Sequence, residues 1–528
     1  MPLRAECGRL HEITASRGAL RLLEFAMPAA PLPAYRRKLF WVALLYFSEG
    51  LPLGVFYDIF PVWFRQQGME LADIGLLSLL GLAWTVKFLW APAVDWARHH
   101  RRWVAAANLG MAAVMLAFAL AGLALGPWAW FAIGAFTMLS ATNDIATDGY
   151  TIEFLDRREY GLANGLRIGF YRAGMLTAGV LLMVSGWLGW GAAYALGAAV
   201  FVVNGAMVLL APAEAARQGT PLTSVAAEFR LLRQQPNFLV ALALVLLGLL
   251  WPVLGPLAKA LGWAEVQAVG SSWWFRGAVP VGLMFLGAVL LVRSAKSPAA
   301  LTLRDGPVFG AWVELLLRPG MVAVLAFILV FKLGDSAMGF MVKPFWVDAG
   351  FTAGQIGFVS VNIGLALSIA GGLLGGWYVD KRGIFRGLWV LGLWQAASNL
   401  IYAFAASVVP LLTPGAAATL GVAPADQALV YAASAFESLT QGLGTGAFLA
   451  FLMAITSKER ATTEYAILSS IFAFSRSVAG WAGGIGAQEL GYAPYFFLTF
   501  WLSFPAYLLL PQVRQMLERA VQPGVRVK

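Results

Sequence analysis

Residues 61–75 read PVWFRQQGMELADIG, and residues 344–357 read PFWVDAGFTAGQIG. Both stretches contain a Pro-x-Trp triplet, a glycine and an Ile-Gly pair in the same order. Six residues separate the glycine from the isoleucine in each stretch, from Gly68 to Ile74 and from Gly350 to Ile356. This agreement in order and spacing indicates that the chain contains two related halves.

Two further features repeat outside these stretches. An aspartate closes the apolar run that follows each one, at Asp95 and at Asp380. Further along, Arg157-Arg158-Glu159 has a counterpart in Lys458-Glu459-Arg460. The similarity between the halves therefore extends over at least four spans of each.

The composition predicts an integral membrane protein. The chain has 528 residues, of which 60% are hydrophobic and 12% charged, whereas soluble domains carry about 25% charged residues. The net charge of +10 does not indicate a nucleic-acid partner, because the basic residues lie in short loops between apolar runs. Cys7 is the single cysteine, so an internal disulfide is excluded. Since no Cys/His cluster has metal-ligand spacing, we expect no metal and no cofactor.

The apolar runs predict an all-α fold with roughly fourteen membrane spans, since about 20 apolar residues cross a bilayer as a helix. The predicted organisation is a cytosolic tail (1–37), a six-helix bundle (38–211), a linker with two extra spans (212–320), a second six-helix bundle (321–513) and a short cytosolic tail (514–528).

The loop charges predict the orientation of these spans. Most basic residues lie in the loops on one side, and only Arg65, Lys259, Arg276 and Lys343 lie on the other. Because basic loops stay in the cytosol, we expect a multi-pass protein with both termini inside. Two six-helix halves related by a repeat are typical of a rocker-switch transporter, with its substrate site near mid-membrane between the halves.

Charged residues within the spans are the first candidates for the site, because a charge at this depth usually faces a polar cavity. In the fourth span, Asp144 and Asp148 share one helical face with Ser140, Thr147 and Thr151. Two carboxylates one turn apart repel each other when both are ionised, so we expect one of them to bind a proton and to serve proton coupling.

The next span carries Arg172. Protonation of the carboxylate pair would change its hold on this arginine. The alternative is a static buried ion pair that only locks the two helices together, and the sequence leaves both interpretations open.

Further candidates lie in the first span and in the second half. Glu49 lies beside Pro52, which breaks the helix as in many transporter binding sites. Lys87 is expected to extend its long side chain to the headgroups. The remaining candidates are Lys332 and Asp335, which can pair within one helix, Glu437 and Gln441 on one stripe, and Arg476.

The segment Gly376-Trp-Tyr-Val-Asp380-Lys381-Arg382-Gly383 resembles the loop signature of the major facilitator superfamily. In the first half, the corresponding segment keeps only Asp95. The resemblance implies that Asp95, Asp380, Lys381 and Arg382 latch a cytosolic gate.

Three blocks of the first half resemble a narrower branch, the AmpG muropeptide permeases and the related acetyl-CoA transporters. They are Glu49-Gly-Leu-Pro-Leu-Gly54, Lys87-Phe-Leu-Trp-Ala-Pro92, and Asp144-Ile-Ala-Thr-Asp148-Gly-Tyr150. The chain departs from that branch at Asn143, where glutamine is expected, and at Tyr150, where tryptophan is expected. The resemblance implies a proton-driven or exchange carrier of bulky polar solutes in a bacterial inner membrane.

Together these features predict a secondary active transporter that imports a bulky polar solute, such as an anhydro-muropeptide, with protons. Its expected partners are the solute, protons and the bilayer, without nucleic acid, and we expect a monomer. Three alternatives stay open: an exporter of a metabolite or drug, a carrier of siderophores or acyl-CoA-type solutes, and a sensor or scaffold on a carrier fold. We expect no enzyme, because the spans hold no histidine to act as a base and no nucleophile motif.

Overall fold

The computed structural model describes residues 32–97, 99–122, 126, 128–155, 160–212, 222–260, 273–297, 310–412, 421–456 and 461–521. Within these ranges the chain is helical, with turns and short connections and no strand. Most of the predicted N-terminal tail (1–37) lies outside the described residues, and so do Arg157, Arg158 and residues 458–460.

In the described part of the first half there are nine α-helices, with a π-helical segment at Val55–Ile59 and a 3-10 turn at Lys87–Leu89. The α-helices are α1 (Leu32–Gly54), α2 (Phe60–Gln66), α3 (Leu71–Leu80), α4 (Leu82–Val86), α5 (Ala91–Ala97), α6 (His100–Ala121), α7 (Trp128–Phe154), α8 (Tyr160–Leu188) and α9 (Trp190–Leu209).

A surface helix and two long helices follow, and then the second half, with a π-helical segment at Ile356–Ile363 and a 3-10 turn at Phe504–Leu509. The α-helices are α10 (Leu222–Arg233), α11 (Pro236–Ala260), α12 (Trp273–Ala295), α13 (Gly310–Leu317), α14 (Met321–Phe331), α15 (Leu333–Asp348), α16 (Ala353–Gln355), α17 (Gly364–Arg382), α18 (Ile384–Val408), α19 (Pro424–Ile455), α20 (Ala461–Leu490), α21 (Tyr492–Leu502) and α22 (Leu510–Val521).

The predicted all-helical membrane fold is confirmed, but the count of fourteen spans is not. Among the described residues, ten helices are long and apolar enough to cross a membrane, or eleven if a bent pair counts as one span. That pair, Ala227–Arg233 and Pro236–Trp251, bends by 92°. The long helices α7 and α20 are not among the ten, and they carry Asp144, Asp148 and Arg476.

The repeated glycines close the same turn in both halves. Gly68 has φ +82° and Gly350 has φ +91°, a left-handed conformation that glycine adopts without steric cost. The residue after each glycine donates its N–H to the carbonyl five positions earlier, from Met69 to Phe64 and from Phe351 to Trp346. A glycine with positive φ followed by this hydrogen bond is the Schellman motif, which ends a helix. The repeated sequence therefore forms the same helix-ending turn in both halves.

Pro52 disturbs the first span, and a side chain compensates for the disturbance. Proline has no N–H, so the Ser48 carbonyl four residues earlier loses its helical donor. The Asn143 side-chain amide donates to this carbonyl across 3.1 Å. The π-helical segment Val55–Ile59 follows within the same span. α1 thus continues through Pro52, and Asn143 supplies the donor that the Ser48 carbonyl lacks, which accounts for a polar residue at this fully buried position.

Among the described residues, the apolar core that the two bundles share lies at one end. We call this the outer end, because the first span of each half finishes there, at Gln66 and at Asp348, and the loop charges predict that it faces outward. Its core joins Phe56 and Trp63 of the first bundle to Phe340 of the second. At the opposite, inner end, the described core clusters each draw on one bundle alone.

Glycines form the seams between the bundles at the outer end. A Cβ atom on Gly75 would lie 2.7 Å from the Gly484 Cα, and a Cβ atom on Gly357 would lie 2.7 Å from the Leu182 Cβ. These distances are shorter than real Cβ contacts, so a side chain at either position would push the bundles apart.

Candidate functional site

The first bundle brings three carboxylates and two cations together. Arg167 of α8 lies 3.2 Å from Asp148 and 3.7 Å from Glu49, and Lys87 lies 3.4 Å from Asp144. The Asp148 carboxylate also accepts a hydrogen bond from the Tyr46 hydroxyl at 3.3 Å. We call these five ionisable residues, Glu49, Lys87, Asp144, Asp148 and Arg167, the carboxylate cluster.

The carboxylate cluster contains more acceptors than its donors satisfy. Glu49 and Asp144 are about 95% buried, at 6% and 5% exposure, and one oxygen of each has no hydrogen-bond partner. The buried hydroxyls of Thr85 and Thr147 also lack partners among the described residues. Since a buried acceptor without a donor is costly, this arrangement is suited to bind a proton or another donor.

Close helix packing positions Arg167 against Glu49. A Cβ atom on Gly50 would lie 2.6 Å from the Tyr171 carbonyl carbon, and a Cβ atom on Gly174 would lie 2.6 Å from the Leu51 nitrogen. Only glycine fits at these positions, so α1 and α8 approach each other until their side chains meet. Gly50, next to Glu49, is therefore needed for the close packing of α1 against α8.

A buried hydrogen-bond network holds the neighbouring helices in register. Asn108 donates to the Asn143 side chain at 3.1 Å, and Asn204 donates to the Asn108 side chain at 3.1 Å. The Ser48 hydroxyl lies 3.2 Å from the Asn108 oxygen. Four helices thus meet beside the carboxylate cluster through side chains that are almost completely buried.

Two sequence expectations in this bundle are corrected. Arg172 makes no hydrogen bond or ion pair with any described residue, and the arginine that meets the carboxylates is Arg167. Arg172 lies five residues further along α8, which is about 7.5 Å along the helix axis and on another face. Lys87 was expected to reach the headgroups, but it pairs with Asp144.

The second bundle places its candidates around the break between α14 and α15. Lys332, at the break, lies 3.8 Å from Asp335 and donates to the Thr445 hydroxyl at 2.6 Å. The within-helix pairing of Lys332 with Asp335 is therefore present. Glu437 accepts a hydrogen bond from the Ser438 hydroxyl at 3.3 Å and interacts electrostatically with both members of the pair. The half-buried Gln441 lies one turn further along α19.

Arg476 bridges the two bundles. Its guanidinium carbon lies 3.8 Å from the centre of the Tyr57 ring, which belongs to the first bundle. Arg476 also interacts electrostatically with Tyr171 of the first bundle and with Lys332 of the second. It occupies the middle of α20, so it lies between the carboxylate cluster and the Lys332 pair.

Two ion pairs link the first spans of the two bundles at the outer end. Arg65 binds Asp348 with two nitrogens, at 2.6 and 2.7 Å, and the Tyr492 hydroxyl donates to the same carboxylate. Deeper in the span, Lys343 lies 3.6 Å from Asp58. The sequence placed Arg65 and Lys343 only in outer loops, and it gave no reason to pair them with these carboxylates.

The proposed cytosolic latch has exposed basic residues. Asp380, Lys381 and Arg382 are exposed, and within the described chain none of them forms an ion pair. Lys381 instead lies 4.3 Å from the centre of the Trp377 ring. The side chain of Asp95 lies outside the described residues.

Comparison with known proteins identifies transporters. The chain is 27% identical over 488 residues to the anhydromuropeptide permease of Escherichia coli K12, covering 90% of this chain and 79% of the relative. It is 21% identical over 492 residues to a putative transporter, AmpG 4, of Rickettsia conorii, covering 90% and 95%. No family profile matches the chain.

The solved structures agree with this result. An auto-inhibited peptide transporter of the POT family superposes with a TM-score of 0.62 at 14% identity, covering 93% of this chain and 98% of that one. A bacterial homologue of the human lysosomal transporter Spinster, inward-facing and unoccupied, superposes with a TM-score of 0.58 at 12% identity, covering 94% and 100%. The chain is a multi-pass membrane transporter with a major-facilitator-like fold.

The resemblance to the AmpG branch is thereby confirmed, and the comparisons identify transporters of small molecules and not enzymes.

Proposed function

We propose that this transporter imports an anhydro-muropeptide or a similar bulky polar solute across a bacterial inner membrane, driven by protons, with both termini in the cytosol. The observation that carries the proposal is the carboxylate cluster, which holds unsatisfied buried acceptors beside the boundary of two rocking bundles. The similarity to an anhydromuropeptide permease supports the choice of solute.

The cluster offers a route for coupling. Protonation of Asp144 would cancel its attraction to Lys87, and protonation of Glu49 would cancel its attraction to Arg167. Because Tyr171 interacts electrostatically with Glu49 and Asp144 and also with Arg476 of the other bundle, a change of charge in the cluster would also act across the boundary. We infer that binding of a proton biases the packing of the two bundles.

The arrangement of the bundles supports a state that is closed outside and open inside. The cross-bundle ion pairs Arg65–Asp348 and Asp58–Lys343, the shared apolar core and the glycine seams all lie at the outer end. The exposed latch residues at the inner end fit a gate that is open in this state. One proton moving through 100 mV yields about 2.3 kcal/mol, which supports roughly a fifty-fold solute gradient.

Uptake into proteoliposomes tests the proposal. Purified protein is reconstituted, and uptake of radiolabelled N-acetylglucosaminyl-anhydromuramyl-tripeptide is measured with the outside acidic, with equal pH, and with the inside acidic. We expect accumulation only when the outside is acidic. Asp144→Asn should abolish accumulation but keep exchange of labelled for unlabelled solute, because exchange needs no net proton movement. Asp426→Asn, in the first turn of α19, is the matched control and should accumulate normally.

Each part of the proposal can fail separately. Exchange without any response to the pH gradient would contradict proton coupling. Accumulation only when the inside is acidic, after the orientation of the reconstituted protein has been determined by protease digestion, would favour export. The absence of both exchange and uptake in the wild type would contradict the choice of solute.

A further inference from the structure

Arg476 has donors that the protein does not use. A guanidinium carries five N–H groups, yet within the described chain Arg476 makes no hydrogen bond and no ion pair. Its described close contact is with the face of the Tyr57 ring, at 3.8 Å. Stacking on a ring covers one face of the guanidinium and leaves its edge, where the donors lie, available to a ligand.

The neighbouring charges do not neutralise Arg476 directly. Asp58 interacts with Arg476 electrostatically, but it forms its ion pair with Lys343 at 3.6 Å. Lys332 is paired with Asp335 at 3.8 Å. Arg476 is therefore the cation of this group that lacks a carboxylate in contact.

The Tyr57 ring under the guanidinium packs against two further aromatic rings, and we call the three rings the aromatic shelf. The Tyr57 ring stacks at 25° on Trp84, with ring centres 6.3 Å apart, and it meets the edge of Phe340 at 6.2 Å. Tyr57 and Trp84 belong to the first bundle, whereas Phe340 and Arg476 belong to the second. The shelf packs the Tyr57 ring from two sides, and a guanidinium stacked on such a ring can bind a carboxylate with two parallel hydrogen bonds.

We propose that Arg476 is the subsite for a carboxylate group of the solute, with Tyr57 holding the guanidinium in position. This inference rests on the proposed function and adds the chemical feature that the solute must have. Because the Arg476–Tyr57 contact joins the two bundles, a bound carboxylate would contact the boundary that moves during transport.

Binding of two probes tests the subsite. The probes are N-acetylglucosaminyl-anhydromuramyl-tripeptide and the same compound with its peptide carboxylates converted to amides. Affinities are measured by isothermal titration calorimetry on the full chain in nanodiscs. We expect amidation to weaken binding to the wild type about tenfold or more, since it removes a charge-assisted hydrogen-bonded pair.

The ratio of the two affinities identifies the role of Arg476. In Arg476→Gln the acid should bind as weakly as the amide, so the ratio should fall to about one. Arg476→Lys keeps the charge and should recover part of the ratio. The control Arg172→Gln should keep the wild-type ratio. A merely structural role for Arg476 would weaken both probes equally and leave the ratio unchanged, which would overturn the proposal.

Failure of the solute choice is distinguishable from failure of the subsite. If the wild type binds neither probe, the proposed solute is wrong, and thermal stabilisation is then measured with carboxylate-bearing siderophores and acidic peptides. A carboxylate compound that stabilises the wild type but not Arg476→Gln would support the subsite. If every compound that stabilises the wild type also stabilises the variant, or if none stabilises the wild type, the subsite is refuted.

Discussion

Arg167 and Arg172 lie on one helix, and depth decides which of them meets the carboxylates. Asp148 lies six residues before Phe154, where α7 ends, and Arg167 lies seven residues after Tyr160, where α8 begins. The two side chains are therefore at the same depth in helices that follow each other in the chain and run in opposite directions. Counting residues from the helix ends therefore favours Arg167, whereas Arg172 was the arginine predicted to meet the carboxylates.

This pair of arginines supplies a matched test. Arg167→Gln should reduce proton-driven uptake at least tenfold, because Glu49 and Asp148 lose their shared cation. Arg172→Gln should stay within twofold of the wild type. Initial uptake rates at equal amounts of reconstituted protein provide the measurement. Equal loss in both variants would mean that Arg167 has no special role.

Lys332 and Asp335 form a buried ion pair, so removing one of them should destabilise the protein more than removing both. Lys332→Ala leaves Asp335 buried without its cation. The loss of one partner of a buried ion pair lowers the free energy of unfolding by about 3–5 kcal/mol. The double variant Lys332→Ala/Asp335→Ala should melt at a higher temperature than Lys332→Ala alone. Arg514→Ala, which breaks a pair exposed by 65% and 63%, is the control and should leave the melting temperature in detergent nearly unchanged. A double variant that melts below the single variant would contradict this view of the pair.

Asn143 should contribute to stability through the carbonyl that Pro52 leaves without a donor. Asn143→Ala should destabilise the protein by about 1–3 kcal/mol, the usual cost of an unsatisfied buried group. Ser407→Ala, whose exposed hydroxyl donates only within its own helix, is the control. Thermal unfolding in detergent measures both. An unchanged melting temperature for Asn143→Ala would show that another donor replaces the amide.

At the scale of helices, apolar length predicts where a span lies but not where it breaks. The apolar run over 71–97 is long enough for one span, whereas the structure divides it into α3, α4, a 3-10 turn and α5. The apolar run over 321–347 is likewise interrupted at Lys332, which lies between α14 and α15. These interruptions depend on packing and on buried polar partners from other helices. The apolar length of one segment carries no information about either.

The glycine seam at Gly357 provides a prediction for helix packing. Gly357→Val should lower the initial uptake rate at least tenfold, because the added side chain would overlap α8 and prevent the outer end from closing. Gly376→Val lies on the same span, where no atom lies within 4 Å of an added Cβ, and it should keep more than half of the rate. Wild-type uptake by Gly357→Val would show that this seam can separate without loss of transport.

For the whole molecule, the repeat predicted two related bundles, but the pairing of their charges required the structure. Arg65 follows Pro61 by four residues, and Asp348 follows Pro344 by four residues. Equivalent positions of the two halves thus carry opposite charges and meet each other across the boundary. The repeat alone does not reveal this contact, because positions that match in sequence meet only when they lie beside the axis that relates the bundles.

This pair of charges allows the motion of the bundles to be tested directly. Arg65→Asp places two carboxylates against each other, and Arg65→Asp/Asp348→Arg restores attraction with the charges exchanged. Spin labels are attached to cysteines at Gln67 and Ala425 for the outer end, and at Arg102 and Arg386 for the inner end, in a Cys7→Ser background. All four positions are exposed, and each pair has one label on each bundle.

Electron–electron double resonance on these two label pairs tests whether the bundles rock about a central site. We expect Arg65→Asp to lengthen the outer distance and to shorten the inner distance, and we expect the exchanged double variant to return both to their wild-type values. Distances that do not change, or an outer end that opens while the inner distance stays fixed, would contradict the alternating movement on which the account depends.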